Sequence, residues 1–362
     1  MVKKKINIVI ICPYPRGMAP SQRFRFEQYL EILQSRSYDF YIAPFFGEQA
    51  WRILYLKGHF VDKVLFFLKG LIFRTILLFK ITRYDFVFIH REALPLGPPI
   101  FEFLIANVFK KKIIYDFDDA IWLPNTSREN RLARFFKWHH KVKSICKWSS
   151  RISCGNMFLA EFARQYNTQV TVNPTTIDTE NLHRAVAGGN KESNPITIGW
   201  TGTHSTMRFL LEIEDVLQQI QEKYKDRVRF LVISDRAPEL AIEFDFIKWN
   251  KSSEIQDLLK FDIGIMPLPN DNWSKGKCGF KVLQYMALEI PAIASPVGVN
   301  ETIIRHGING FLCSTEQEWF QAFCQLIDGN TLRAVFGKEG RKKVLSHYSV
   351  ASNTPTFLSL FE

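Results

Sequence analysis

Gly276-Lys-Cys-Gly-Phe-Lys-Val-Leu-Gln-Tyr-Met-Ala-Leu-Glu-Ile-Pro-Ala-Ile-Ala-Ser-Pro-Val-Gly298 reads as a glycine-containing loop, a helix and a short apolar strand. Asp262-Ile-Gly-Ile-Met-Pro267 just before it has the apolar run of a buried strand. Strand, loop, helix and strand in that order form the repeating unit of a parallel sheet. Glycines at a helix N-terminus let backbone N–H groups approach a phosphate, and the helix dipole favours its negative charge. The spacing puts Gly279 and Phe280 at that end and Lys281 in the first turn, where its ammonium can neutralise the same anion. Gln284 lies one turn later on the same face, within reach of a ribose hydroxyl. A surface loop leading into an ordinary amphipathic helix fits the same letters.

Working outward, short apolar runs alternate with helical patterns over the whole chain. In the first half the expected strands are 6–12, 40–43, 86–90, 112–115, 151–154 and 170–173, with helices at 22–34, 98–109, 127–147 and 156–165. A polar Gly, Asn, Ser and Pro stretch at 185–195 reads as a linker. Strands at 196–200, 228–234, 263–267, 292–295 and 310–313 follow. The expected architecture is α/β, two Rossmann-like doubly wound domains facing a cleft, at residues 1–184 and 196–345.

Composition agrees with a globular chain. Of 362 residues, 46% are hydrophobic, and 32 Phe, 11 Tyr and 8 Trp supply ample core, which excludes disorder. Six cysteines without CxxC spacing or a histidine at a zinc interval read as buried reduced thiols. Lys3–Lys5 followed by Ile6–Cys12 imitates a signal peptide, but Pro13 and Pro15 cut the apolar run short, so a cytoplasmic location is expected. The net charge of +11 is uneven: residues 1–180 carry 27 Lys+Arg against 15 Asp+Glu, residues 181–362 carry 20 against 21.

Lys281-Val-Leu-Gln-Tyr-Met-Ala287, with Pro291 and Ala294–Gly298, resembles the donor-binding helix of GT-B glycosyltransferases of the family-4 type (glycosyl transferases group 1). Asp262–Pro267, His306-Gly-Ile-Asn-Gly-Phe-Leu312 and Asn173-Pro-Thr-Thr-Ile-Asp-Thr179 are similar to further motifs of that family, in the same order. The family's Glu-x7-Glu pair falls here on Gly276 and Gln284. Gln284 keeps the hydrogen-bonding capacity, whereas Gly276 cannot grip a sugar. Ile198–Arg208 resembles the family's Gly-rich diphosphate loop, including Gly202, with Thr203 in place of its Arg and Arg208 at its Lys position. The resemblance implies a nucleotide-diphosphate sugar as donor substrate in the second domain, no cofactor or metal, a two-cation clamp of Arg208 and Lys281, and retention of configuration. It also implies that residues from about 346 to 362 pack back on the first domain. Capping or packing is the expected role of His204.

In the first domain, Pro13–Ser21 joins strand to helix. Gly17 permits a tight backbone near sugar or phosphate, Ser21 is the expected N-cap, Arg23 is expected to point into the cleft and Arg25 to solvent. Asp116-Phe-Asp118-Asp119 ends a strand where parallel sheets place ligands. Asp118 and Asp119 are the expected catalytic carboxylates that orient the acceptor, in preference to a DxD metal site, and His90 is expected to line the same cavity. His139-His140 cannot chelate one metal well from a helix.

Residues 61–80 form a basic amphipathic pattern with Lys63, Lys69, Arg74 and Lys80 on one arc and Phe67, Leu68, Leu71, Ile72 and Leu78 facing away. Residues 128–147 add Arg131, Arg134, Lys137 and Lys141 beside Phe135, Phe136 and Trp138. Interior Lys69 and Arg74 argue against a transmembrane span. An anionic membrane surface is therefore the expected partner, beside a glycan or lipid-linked acceptor, and nucleic acid is not. The functional expectation is transfer of a sugar at the cytoplasmic membrane face, in cell-surface polysaccharide or glycolipid biosynthesis. The alternative is a catalytically weak sugar-nucleotide-binding protein or membrane-associated scaffold on the same fold.

Overall fold

Strand β1 (Ile6–Cys12) is the buried apolar run read from the sequence, and its neighbours set the rest of the first sheet. The computed structural model describes residues 5–56, 58–124, 137–184 and 194–362. β2 (Tyr38–Pro44), β3 (Phe86–His90), β4 (Lys112–Phe117), β5 (Arg151–Cys154) and β6 (Val170–Val172) join β1 in the order β2-β1-β3-β4-β5-β6. All pairs are parallel. The second sheet comprises β7 (Ile196–Thr201), β8 (Val228–Ser234), β9 (Asp245–Lys248), β10 (Ile263–Met266), β11 (Ala292–Ala294) and β12 (Gly310–Leu312). Its order is β12-β11-β10-β7-β8-β9, again parallel throughout. Both sheets reverse winding beside their first strand, β1/β3 in one and β7/β10 in the other. The crevice at the carboxyl ends of those strands is where such sheets bind ligands. The α/β doubly wound reading therefore holds. β9 was missed because its exposed Asp245, Phe246 and Lys248 carry no apolar run.

The chain divides into two compact units, Met1–Thr175 with Asn353–Glu362, and Thr176–Ser352. The division lies before the expected boundary at 184. Ile177 exchanges backbone hydrogen bonds with Tyr348 and Val350 (2.8 and 3.0 Å), and Arg341 donates to the His183 carbonyl at 3.0 Å, so this stretch belongs to the second unit. The last residues pack on the first unit from Asn353 on: Phe357 stacks on Tyr29 at 4.2 Å, and Phe361 meets Tyr38, Phe86 and Phe88. Most of the expected linker, and the part of the second basic helix with Arg131, Arg134, Phe135 and Phe136, lie outside the described residues. Lys141–Trp148 is helical, but Lys141 points inward, buried on Glu92 (2.6 Å) and the Leu94 carbonyl.

Two expectations about helices fail for physical reasons. The helix expected over 22–34 is broken into Pro20–Arg23, a turn at Glu27–Tyr29 and Leu30–Ser35. The interruption turns Phe24, Arg25 and Phe26 all inward, which one continuous helix cannot do at about 100° per residue. Its N-cap is Ala19, because Pro20 takes the first helical position, not Ser21. In the Phe60–Lys80 helix one member of the basic arc, Arg74, turns inward, while Lys69 and Lys80 stay exposed. Arg74 is 2% exposed and donates to the carbonyls of Ala93, Ala43 and Cys12 (2.8–2.9 Å), and burial pushes its pKa down to about 10. Arg74 is thus a structural cap on strand ends rather than a membrane contact. Gly70 sits under the same helix, where a β-carbon would stand 2.7 Å from the Phe45 ring.

Close approach governs the second sheet. A β-carbon on Gly264 would lie 2.4 Å from the Tyr285 ring, whereas one on Gly47 would meet nothing within 4 Å. Gly264→Ala should therefore destabilise by about 1–3 kcal/mol, the ordinary cost of overpacking, while Gly47→Ala stays near neutral. Urea unfolding of the two variants beside the parent chain checks the contrast.

Candidate functional site

In the second unit the site grows from the end of β7. Trp200 is buried, and Gly202 follows it with room for no side chain: a β-carbon would lie 2.5 Å from the Trp200 ring and 3.0 Å from Cε of Lys281. Lys281 stands in the first turn of the Phe280–Ala287 helix with its ammonium 5.4 Å from the Trp200 ring centre. Gly279 opens that helix at φ +67°, packed against Val299, Asn300 and Ile303. A glycine loop, a lysine and a helix N-terminus thus converge at the β7/β10 winding reversal. That arrangement suits an anion.

The helix is fixed to the sheet from beneath. Fully buried Tyr285 accepts a hydrogen bond from the Thr201 N–H at 3.1 Å, one residue before Gly202. Burial keeps its phenol protonated, with a pKa above the ordinary value. Gln284 is 2% exposed with Nε2 3.4 Å from His183 Nε2, so it lies against the segment after Thr176. Thr203 is exposed and its hydroxyl lies 2.8 Å from that of Ser205. His204 takes the structural role expected of it. Asp235 accepts from its backbone N–H at 2.7 Å and meets Nδ1 at 2.6 Å, which ties the loop to the end of β8. Burial works against the Asp235 charge, but the His204 hydrogen bonds outweigh it and lower its pKa. Arg208 is exposed with its guanidinium 5.3 Å above the Phe209 ring.

The His306–Leu312 motif builds a turn. Asn309 accepts from the Arg305 N–H at 2.7 Å and donates to the Ile303 carbonyl at 3.2 Å.

In the first unit the loop after β1 is closed by its own side chains. The Gly17 N–H, at φ +81°, donates to Glu27 at 2.7 Å, and Gln22 makes two 2.9 Å bonds with the Tyr14 backbone. Arg23 is buried, its guanidinium 4.9 Å from the Phe24 ring. Sequence reasoning missed the centre of this unit. Arg25, expected at the surface, is 1% exposed and binds Asp116, the Asn173 carbonyl and the Ser153 hydroxyl. Asp116 also receives the Ser153 hydroxyl (2.6 Å) and meets His90 Nδ1 (2.8 Å). Burial opposes the Asp116 charge; Arg25 and His90 overcome it and hold the carboxyl well below the usual range. His90 is fully buried in this cluster and is a supporting residue rather than a cavity wall.

Asp118 and Asp119 are both held by Arg91, at 2.7 and 2.5 Å. Burial disfavours the Arg91 charge, but the two carboxylates outweigh it and raise its pKa. Arg91 adopts φ +62°, a left-handed backbone uncommon for this residue type and of the kind that clusters at functional sites. The carboxylates are 12% and 18% exposed, so they form an arginine-clamped pair at the ends of β3 and β4 and not two independent acids. The adjacent His90-Arg91-Glu92 was the available signal for this clamp. Lys69 is exposed on the Phe60–Lys80 helix, 6.0 Å from the Phe73 ring.

Two six-stranded parallel sheets, each carrying its site residues at the carboxyl end, define a protein of the GT-B class. Solved structures agree on the fold. Sucrose-phosphate synthase from Thermosynechococcus elongatus superposes with a TM-score of 0.69 at 11% identity, covering 99% of this chain and 98% of that one. A glycosyltransferase from Rickettsia africae gives 0.68 at 12%, covering 99% and 98%. HepE from Anabaena, in complex with UDP and glucose, gives 0.65 at 12%, covering 98% and 99%. No curated protein sequence matches the chain. Residues 195–329 match the family model of the glycosyl transferases group 1. The chain carries that domain over part of its second unit, and its fold is that of the GT-B glycosyltransferases.

Asp116→Asn would leave the Arg25 guanidinium buried without its counter-charge, a loss of about 3–5 kcal/mol. The pH dependence has a definite sign. A carboxyl with a depressed folded-state pKa contributes in full above the unfolded value of about 3.9 and loses that contribution as pH falls below it. The Asn variant should therefore be less stable at neutral pH by urea unfolding, with the gap to the parent narrowing on acidification below about pH 4.

Proposed function

We propose that this chain transfers a glycosyl group from a nucleoside-diphosphate sugar to a glycan or lipid-linked acceptor at the inner face of a membrane, in the assembly of cell-surface polysaccharide or glycolipid. The observation that carries the donor reading is the convergence of Gly202, Lys281 and the Gly279 helix N-terminus at the winding reversal of the second sheet. The UDP and glucose bound by HepE support a sugar nucleotide as the ligand.

The proposed reaction breaks the bond between the sugar's anomeric carbon and the diphosphate oxygen. Lys281 and Arg208 receive the charge that develops on the diphosphate, so no base has to act on the leaving group and no metal is needed. The acceptor hydroxyl attacks from the face the diphosphate leaves, which retains configuration, and its proton passes to the departing phosphate oxygen. Asp118 and Asp119, steadied by Arg91, orient that hydroxyl. Trp200 keeps water from the Lys281 side of the site.

Purified protein titrated with UDP, GDP and ADP should show a rise in melting temperature with one of them, by mass action on the folded state. The rise should persist in EDTA. Lys281→Ala should abolish it and lower kcat by about 10²–10³-fold, the typical cost of one charge-stabilising donor. No shift with any nucleotide would overturn the donor assignment in favour of a scaffold, and full activity in the variant would overturn the role given to Lys281.

A further inference from the structure

The Phe60–Lys80 helix presents an apolar face to the outside. Val61, Leu65, Leu68, Ile72, Ile76 and Phe79 are 68, 57, 47, 59, 45 and 81% exposed. Their spacing of three and four residues makes one continuous stripe, about 80° wide at 100° per residue. Solvated helices of globular proteins present their polar face to water, and an apolar stripe of this length marks an interaction surface. Among the described residues no helix is long and apolar enough to cross a membrane.

The border of the stripe is basic. Lys69 and Lys80 lie along one edge, and Arg83 follows on the next turn. These three side chains rim a groove of about 710 Å³ between the helix and edge strand β2, floored by Phe45, Phe66 and Phe73. The half of the chain that contains it carries an excess of 12 positive charges (27 Lys+Arg less 15 Asp+Glu over residues 1–180). A second copy of this chain would bring that rim against another positive rim, whereas an anionic bilayer offers opposite charge at the rim and hydrocarbon at the stripe.

We infer that this face of the Phe60–Lys80 helix inserts into the headgroup region of a bilayer of anionic phospholipid, with the Lys69–Lys80–Arg83 groove taking a lipid phosphodiester. The inference deepens the membrane part of the proposed function and rests on it. It differs from the sequence expectation in the residues that do the work: Val61, Leu65, Ile76 and Phe79 join Leu68 and Ile72 on the exposed face, whereas Leu78 is buried and Phe67 and Leu71 are half-buried. Arg74, which the sequence pattern counted toward docking, takes no part.

Flotation with vesicles of phosphatidylcholine alone, or with about a third phosphatidylserine, tests this on the full chain. The parent should float with the anionic vesicles, with affinity for the neutral ones about ten-fold lower. Ile72→Asp combined with Phe79→Asp changes two exposed side chains and should lower vesicle binding by at least about ten-fold. Lys69→Glu combined with Lys80→Glu should remove the preference for anionic vesicles. The nucleotide-induced rise in melting temperature reads the donor site separately, so it should survive in both double variants and shows that they are folded. Failure of the parent to float overturns the inference, whatever the nucleotide result. Equal binding by the parent and the Ile72/Phe79 variant overturns it in favour of surface charge alone. A dimer in gel filtration that the same variant dissolves overturns it in favour of a second copy.

Discussion

The buried Asp116 carboxylate is the constraint on which the first unit depends. It closes β4, and it is met from three other elements: Arg25 after β1, His90 at the end of β3 and Ser153 in β5. Arg25 continues the network to the Asn173 carbonyl at the end of β6. One ion pair thus ties four neighbouring strand ends at the edge where a parallel sheet presents its ligands. Such a pair gives little net stability over an apolar core of equal volume, because desolvation consumes most of its Coulombic gain. Its value lies in geometry, since breaking either partner leaves a buried charge. The Arg91 clamp sits one residue beyond His90 and two beyond Asp116, and the Arg91 N–H bonds the Asp116 carbonyl at 2.7 Å. The position of Asp118 and Asp119 is inherited from the network beneath.

The second unit reaches the same end without charge. Gly199 and Gly264 are strand positions where a β-carbon would collide with Phe261 and Tyr285. Removing side chains there lets the Phe280–Ala287 helix sit close enough for the Tyr285 hydroxyl to meet the backbone of β7. The helix N-terminus, Lys281 and the Gly202 loop then share one anchor. A rigid anchor is what a diphosphate site needs, because charge stabilisation in a transition state is effective only when the donors are already in place.

Legibility in the sequence followed physical scale. Strands with long apolar runs, such as Ile6–Cys12 and Val228–Ser234, announce themselves because burial on both faces leaves few polar positions, Asn7 in the one and Arg229 and Ser234 in the other. The Gly279–Lys281 helix start is legible because its chemistry is local. Arg25, Arg74 and Lys141 were not, since their burial depends on acceptors brought from distant segments: Asp116, three strand-end carbonyls, and Glu92 with Leu94. A charged letter on a helical wheel reads as solvent by default. Only the fold reveals which strand ends need a donor. The burial of Gln284 was hidden for the converse reason: the segment that covers it, at His183, lies 101 residues away in sequence.

The Phe60–Lys80 helix shows how one such error propagates. Reading Arg74 as outward fixes the phase of the whole helix and groups Leu68 and Ile72 with Phe67, Leu71 and Leu78 on the opposite side. Arg74 instead satisfies three carbonyls, and Gly70 lets the helix approach Phe45 on that same side. The inner face holds that arginine and glycine together with Leu77 and Leu78, and Leu68 and Ile72 lie on the outer face with Val61, Leu65, Ile76 and Phe79. A soluble surface under no other constraint has no reason to keep six large apolar side chains in register over five turns. The inward arginine and the outward stripe are therefore one decision of the fold. The helix keeps a core face at Leu77 and Leu78 and carries a second apolar side that can meet something outside the chain.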